Sequence, residues 1–260
     1  MTILDQLSAH ARERVAEAKN RLSPGELREL ATAGEKGSFA FENALKKPDI
    51  AFICECKKAS PSKGLIAPEF PYRQIAREYE EAGADAVSVL TEPKWFLGRD
   101  EYLREIASDI SLPCLRKDFV VDEYMVYEAR LLGAAAVLLI CAILPEEQLR
   151  SCLRVCDELG LSALVEAHDP EEVHTALRAG ARVIGVNNRN LRDFSVDTDN
   201  SRRLRALIPR DVLFVAESGV KDAADVEALR RIGADAVLVG ETLMRAEDKK
   251  RKLRELRGGI

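Results

Sequence analysis

Hydrophobic residues along the chain fall into two alternating patterns. One repeats as GADAVSVL (Gly83–Leu90), GAAAVLLI (Gly133–Ile140), GARVIGVN (Gly180–Asn187) and GADAVLVG (Gly233–Gly240). These segments recur every ~50 residues, and self-similarity at a fixed period marks a repeated architectural unit. In each, Gly-Ala closes an amphipathic stretch, where glycine tolerates the positive φ of a helix C-terminus. The continuous apolar run that follows suits a strand buried on both faces. Four further runs of this kind lie between them, at Ile50–Lys57, Pro113–Lys117, Ser162–Glu166 and Val212–Glu217.

The second pattern has helical period. It covers Tyr72–Ala82, Asp100–Ser108, Glu123–Leu132, Glu146–Leu159, Pro170–Ala179, Asp197–Leu207, Ala223–Ile232 and Lys249–Leu256. Asp169-Pro170 and Asp197 read as helix starts. Strands and helices alternate through eight units, and such alternation gives a parallel sheet. The predicted fold is a single α/β domain, a (β/α)8 TIM barrel over residues 49–260. An open doubly wound sheet is the alternative, but no G-x-G-x-x-G follows the first strand. Residues 1–48 come before that strand. Met1–Asn20, Pro24–Ala33 and Phe39–Leu45 read as helices there, and no Gly/Ser linker sets them apart. They are expected to pack on the barrel as an N-terminal helical extension.

Composition narrows the function classes. Among 260 residues, 39 Lys and Arg face 44 Asp and Glu, for a net charge of −5. That balance lacks the basic footprint of a nucleic-acid binder. No run approaches the ~18 apolar residues of a membrane span, and the N-terminus has no apolar leader core. The six cysteines, none in a C-x-x-C pair, read as buried reduced thiols of a cytoplasmic protein. Only three histidines occur, without the spacing of a metal site. His168 and His174 are expected on surface loops or helices with no catalytic part, and Trp95 as a packing residue.

Candidate chemistry collects where the strands end. In a parallel barrel all carboxyl ends share one face, and active sites form there. Those ends present Glu55 and Lys57, Lys117, Glu166, Asn187, and Glu217 with Ser218. Glu55 and Lys57 are two apart and so share a face, with Cys54 and Cys56 turned to the helix layer. A single strand-end Lys or Glu is usually just the first solvated residue. Seven polar groups on five strands pointing to one place carry more weight, because neighbouring Lys and Glu shift each other's proton affinity. The turns Glu217-Ser218-Gly219 and Val239-Gly240-Glu241 put glycines where backbone N–H groups approach an anion, and a short helix is expected from near Glu241. Loops after the last two strands form the recurrent phosphate site of this fold.

The stretches ECKKASPSKG, SVLTEPKWFLG, LRKDF, LVEAHD, IGVNNRNL, VAESGV and LVGETLM resemble the indole-3-glycerol phosphate synthase family of tryptophan biosynthesis, across essentially the whole chain. The resemblance implies a carbon–carbon lyase (a carboxy-lyase). It would close the ring of 1-(2-carboxyphenylamino)-1-deoxy-D-ribulose 5-phosphate with loss of carbon dioxide and water, without metal or organic cofactor. It implies Lys117 as general acid at the ketone oxygen, its proton affinity lowered by desolvation beside Leu115 and Phe119. Glu166 takes a second acid–base role at the departing hydroxyl, and Lys57 holds the substrate carboxylate. Glu55 and Glu217 orient the lysines, and Asn187 and Ser218 bond substrate hydroxyls. Ser60 and Arg189 line the mouth, Gly219 and Gly240 take the phosphate, and Phe96, Phe119, Leu138 and Leu191 wall the aryl ring.

Two positions depart from the family pattern. Arg99 replaces a common serine, and Ala59 stands where some members carry a base, which leaves the phosphate more dependent on Lys63 or backbone donors. The extension either caps the barrel or tethers it to another tryptophan-pathway enzyme. The competing readings are another phosphosugar barrel, such as a phosphoribosylanthranilate isomerase or a Schiff-base aldolase, and a non-catalytic phosphate-ligand-binding barrel.

Overall fold

A computed structural model describes residues 2–190 and 194–258. Among these the chain forms α1 (Ile3–Arg21), α2 (Pro24–Thr32), α3 (Ala40–Leu45), β1 (Ala51–Cys56), β2 (Ala59–Ser60), β3 (Gly64–Leu65), α4 (Tyr72–Glu81), β4 (Ala86–Leu90), α5 (Asp100–Asp109), β5 (Cys114–Lys117) and α6 (Glu123–Leu131). It continues through β6 (Ala136–Ile140), α7 (Glu146–Leu159), β7 (Ser162–Ala167), α8 (Pro170–Ala179), β8 (Val183–Asn187), α9 (Asp199–Arg205), β9 (Leu213–Glu217), α10 (Ala223–Arg231), β10 (Ala236–Val239), α11 (Glu241–Met244) and α12 (Lys249–Leu256). The strands close in the order β1-β10-β9-β8-β7-β6-β5-β4, all parallel, which is the (β/α)8 barrel.

The helices begin and end where their chemistry dictates. Asp169 caps α8 through the Glu172 N–H, with Pro170 in the first turn. Capping boxes at Thr2/Asp5, Ser23/Glu26 and Asp222/Asp225 open α1, α2 and α10. Such caps satisfy N–H groups that have no partner within the helix. The glycines of the four repeats, Gly83, Gly133, Gly180 and Gly233, all take positive φ just past a helix. The strands therefore begin about three residues later than the apolar repeat does. In α7 the buried face is Leu149, Cys152, Val155, Cys156 and Leu159, the spacing of a helix packed on a sheet. Five of the six cysteines are buried and Cys141 is half-buried, all as free thiols.

Residues 2–48 run the length of the barrel. At the carboxyl end of the strands, α1 is tied down by Arg14, which donates to both Asp118 oxygens at 2.6 and 3.1 Å. Lys19 adds a 2.6 Å contact to Asp122. Tyr124 donates its hydroxyl to the Ala18 and Leu22 carbonyls. Alongside the barrel, α2 packs on α6. At the opposite end, Gly37 N–H donates to the Leu159 carbonyl and Phe39 N–H to that of Gly160. The two backbones come so close that a Cβ on Gly37 would overlap Gly160. Beyond this point α3 lies under β7, its Glu42 N–H donating to the Ser162 hydroxyl oxygen at 3.1 Å.

Candidate active site

The strand ends open into a cavity of about 550 Å³. Glu55, Lys57, Lys117, Glu166, Asn187, Glu217 and Ser218 all line it. Ser60, Phe96, Phe119, Leu138, Arg189, Gly219 and Gly240 line it as well. Leu191 lies outside the described residues. Leu90, Ile140 and Leu238 complete an apolar floor. The Phe96 and Phe119 rings sit 5.9 Å apart at 40° on one wall.

Residues of α1 that sequence reasoning missed form another part of the wall. Ile3, Leu4 and Leu7 of α1 face the cavity, so the extension roofs it. Amphipathic period gives a helix an apolar side but does not say what it meets. The Ala59–Leu65 segment forms a two-stranded antiparallel hairpin that brings Lys63 to the rim, 3.6 Å from Glu241. Its strands are two residues each, too short for a periodic signal. Ala59 is buried within it. Arg99 is exposed at the N-cap of α5, its guanidinium 5.9 Å from the Tyr102 ring, and does not line the cavity.

Two ion clusters occupy the floor. Lys57 Nζ is 2.5 Å from Glu55 Oε1. Glycine at 240 leaves this pair its room, since a Cβ there would overlap Glu55 Oε1. Lys117 Nζ lies 3.0 Å from Glu217 Oε2 and 3.4 Å from Glu166 Oε2, one ammonium between two carboxylates. Gly185 serves this second cluster, because a Cβ on it would overlap Glu217 Oε1.

The electrostatics separate the two carboxyls. Burial works against the charge of Glu166, but Lys117 and His168 outweigh it and hold its pKa below the usual range. Burial also opposes the charge of Glu217, the Glu166 charge adds to it, and Lys117 compensates only partly; its pKa rises to about 7. Glu217 Oε1 is buried without a hydrogen-bond partner among the described residues. Lys117 runs opposite to expectation. Desolvation does oppose its charge, as Leu115 and Phe119 suggested, but Glu217 and Glu166 dominate and raise its pKa. The expectation failed because those carboxylates stand 100 and 49 positions away along the chain.

The turn after β9 carries backbone strain. Ser218 has φ 67° and Gly219 φ 96°. A non-glycine residue held at such φ costs about 1–3 kcal/mol and persists only where its surroundings enforce it. Asn188, buried and not singled out from sequence, enforces it. Its side-chain amide donates to the Ser218 carbonyl at 3.1 Å, while its oxygen accepts from the Ser201 N–H and hydroxyl. Asn187 Oδ1 accepts from the Arg189 N–H at 3.0 Å. Among the described residues no cluster of three or more His, Cys, Asp or Glu side chains suits a metal ion.

His168 stands in the turn between β7 and α8, as expected, but not at the surface. It is largely buried, with Nε2 3.4 Å from Glu166 Oε1 and Nδ1 3.1 Å from Glu172 Oε2. A histidine two residues beyond a strand-end glutamate, and four before a first-turn glutamate of the next helix, was the available signal. Trp95 packs edge-on to His10 with ring centroids 5.5 Å apart.

A closed parallel barrel with ionisable groups enclosed at the carboxyl ends of its strands defines a (β/α)8 barrel of the enzyme type. Solved structures share the fold at low identity. A 3-hexulose-6-phosphate synthase from Salmonella typhimurium superposes with TM-score 0.67 at 16% identity, over 80% of this chain and 97% of that one. A tryptophan synthase complex from Pyrococcus furiosus gives TM-score 0.62 at 16% identity, over 81% and 98%. Sequence comparison goes further. The profile of the indole-3-glycerol phosphate synthase family matches residues 4–256. The Ruminiclostridium cellulolyticum indole-3-glycerol phosphate synthase is 54% identical over 98% of this chain and 99% of its own length. The Endomicrobium trichonymphae synthase is 51% identical over 98% and 99%. The chain belongs to the indole-3-glycerol phosphate synthase family, and that membership supports the family's enzymatic function. Among the described residues no helix is long and apolar enough to cross a membrane.

Proposed function

We propose that this cavity converts 1-(2-carboxyphenylamino)-1-deoxy-D-ribulose 5-phosphate to indole-3-glycerol phosphate, as a carboxy-lyase. The observation that carries the reading is the Lys117 ammonium held between Glu166 and Glu217 on the cavity floor, beside Leu90, Ile140 and Leu238. Ring closure joins the carboxyl-bearing ring carbon to the ketone carbon and drives charge onto the ketone oxygen. A protonated lysine fixed at that point supplies the proton, and its raised pKa keeps it protonated beforehand. The same property makes it a poor Schiff-base nucleophile. Carbon dioxide then leaves with its bonding pair returned to the ring.

Dehydration needs a proton for the departing hydroxyl and a base for the proton that aromatisation releases. Glu166 rests ionised, so it acts first as a base and becomes an acid only after taking a proton. Lys57, paired with Glu55, holds the substrate carboxylate, and Asn187 and Ser218 bond the sugar hydroxyls. Arg189 and Ser60 stand at the mouth. The N–H groups of Gly219 and Gly240 take the phosphate, with Lys63 on the hairpin adding positive charge at the rim. The aryl ring lies against Phe96, Phe119 and Leu138, under the roof of Ile3, Leu4 and Leu7.

The test is indole fluorescence from the aryl-amino ketose phosphate, with parent protein and Lys117→Ala. The parent is expected to turn over. The variant is expected to lose activity by at least ~10²-fold while keeping its circular dichroism. An inactive parent, or a variant with most of its activity, overturns the reading.

A further inference from the structure

Beside the proposed acid–base set stands an imidazole that this set does not use. His168 follows β7 by one residue. Its ring bridges Glu166, 3.4 Å from Nε2, and Glu172 on α8, 3.1 Å from Nδ1. The backbone fixes the ring in place. His168 N–H donates to Glu172 Oε2 at 2.7 Å, and the His168 carbonyl accepts from Asn200 at 3.1 Å. Glu172 is itself held, its N–H donating to the Asp169 cap at 2.9 Å. Among the described residues Nε2 is buried with no hydrogen-bond partner, and it lies within ion-pair distance of the Glu166 carboxylate.

We infer that His168 is a positioning residue whose charge sets the protonation state of Glu166, linking the cavity floor to Glu172 on the first turn of α8. The inference rests on the proposed role of Glu166.

The charges around the ring support a cation. Facing it are Glu166 from β7 and Glu172 from α8, with Glu217 of β9 farther off; Lys117 of β5 lies behind Glu166. Asp169 caps the same turn. Cys141, beyond β6, contacts the Glu172 carbonyl, and burial pushes its thiol up to about 12, so it stays neutral. Asn200 from α9 is neutral. Lys117 and His168 thus balance Glu166 and Glu172. Burial opposes the imidazolium, but the Glu172 hydrogen bond and the Glu166 charge prevail and raise its pKa. Coupling between two ionised sites is reciprocal, so the charge that Glu166 lends His168 is returned as a lowered proton affinity of Glu166.

The experiment has two arms. The chain has three histidines, so each imidazole signal can be followed by NMR through a pH titration without any turnover. The His168 midpoint is expected above the ordinary value of about 6.5. It is expected to fall in Glu166→Gln and in Glu172→Gln. A midpoint at or below about 6.5, or one that Glu166→Gln leaves in place, overturns the inference. In the second arm, kcat/KM is followed against pH with the aryl-amino ketose phosphate. Removing the charge in His168→Asn is expected to move the acid limb up by about one pH unit. Profiles that superimpose on the parent overturn the inference. Should His168→Asn not fold, the NMR titrations of the parent, Glu166→Gln and Glu172→Gln decide. A parent without turnover counts against the proposed function, whereas the titration tests the coupling by itself.

Discussion

Glu217 makes stability itself a reporter of the cavity floor. Its carboxyl is 2% exposed and keeps its proton to about pH 7 in the folded chain, against an ordinary 4.5. Between those two values the folded state binds more protons than the unfolded state. Stability therefore falls as pH rises through that window. At about 1.4 kcal/mol per pH unit, the full cost is about 3 kcal/mol once Glu217 is ionised. Glu217→Gln keeps the shape and stays neutral at every pH. Near pH 4, below both values, parent and variant carry nearly the same charge there in the folded and the unfolded state, so their unfolding free energies should nearly agree. By pH 8 the variant should gain about 3 kcal/mol relative to the parent. His168 titrates in the same region with its pKa raised, so its stabilising charge is lost as pH rises. Both chains contain it, and it largely cancels in the difference. Urea unfolding at several pH values measures this directly. A difference that is flat from pH 4 to 8 refutes the reasoning. One that moves against the variant shows instead that Lys117 stabilises an ionised Glu217.

The other predictions concern catalysis. Glu166→Gln should lower kcat by ~10²–10⁴-fold, the usual worth of positioned proton transfer, with a much smaller change in KM; a loss under roughly tenfold removes Glu166 from that role. Gly185→Ala puts a methyl group where Glu217 Oε1 lies. Its misplacement of the carboxylate should cost activity on the order of 10²-fold, with the far-ultraviolet circular dichroism retained. Parental kcat in that variant would mean that the Glu217 position is immaterial.

The barrel was legible because its strands are apolar and regularly spaced. The repeat at Gly83, Gly133, Gly180 and Gly233 supplied both the helix ends and the strand phase. Alternation then placed Glu55 and Lys57 together without any knowledge of the other strands. What could not be read is what depends on distant partners. The raised pKa of Lys117 comes from two carboxylates on other strands, and they outweigh the local apolar neighbours that were visible in LRKDF. His168 looked like a loop residue because Glu166 and Glu172 meet only once β7 turns into α8. The roof of Ile3, Leu4 and Leu7 was invisible because the apolar side of a helix fits many surfaces. Gly185 sat inside an ordinary apolar run, its purpose set by a side chain on the neighbouring strand.

The strap that runs from α1 to α3 means that this barrel is not a portable unit. A minimal version cut to start at β1 would lose the donors to two carbonyls at its base, those of Leu159 and Gly160. The same cut would take away the lid of the reaction chamber at the other end, where Ile3, Leu4 and Leu7 sit. One excision thus harms both extremities, and a graft of this scaffold into another protein has to carry the strap whole.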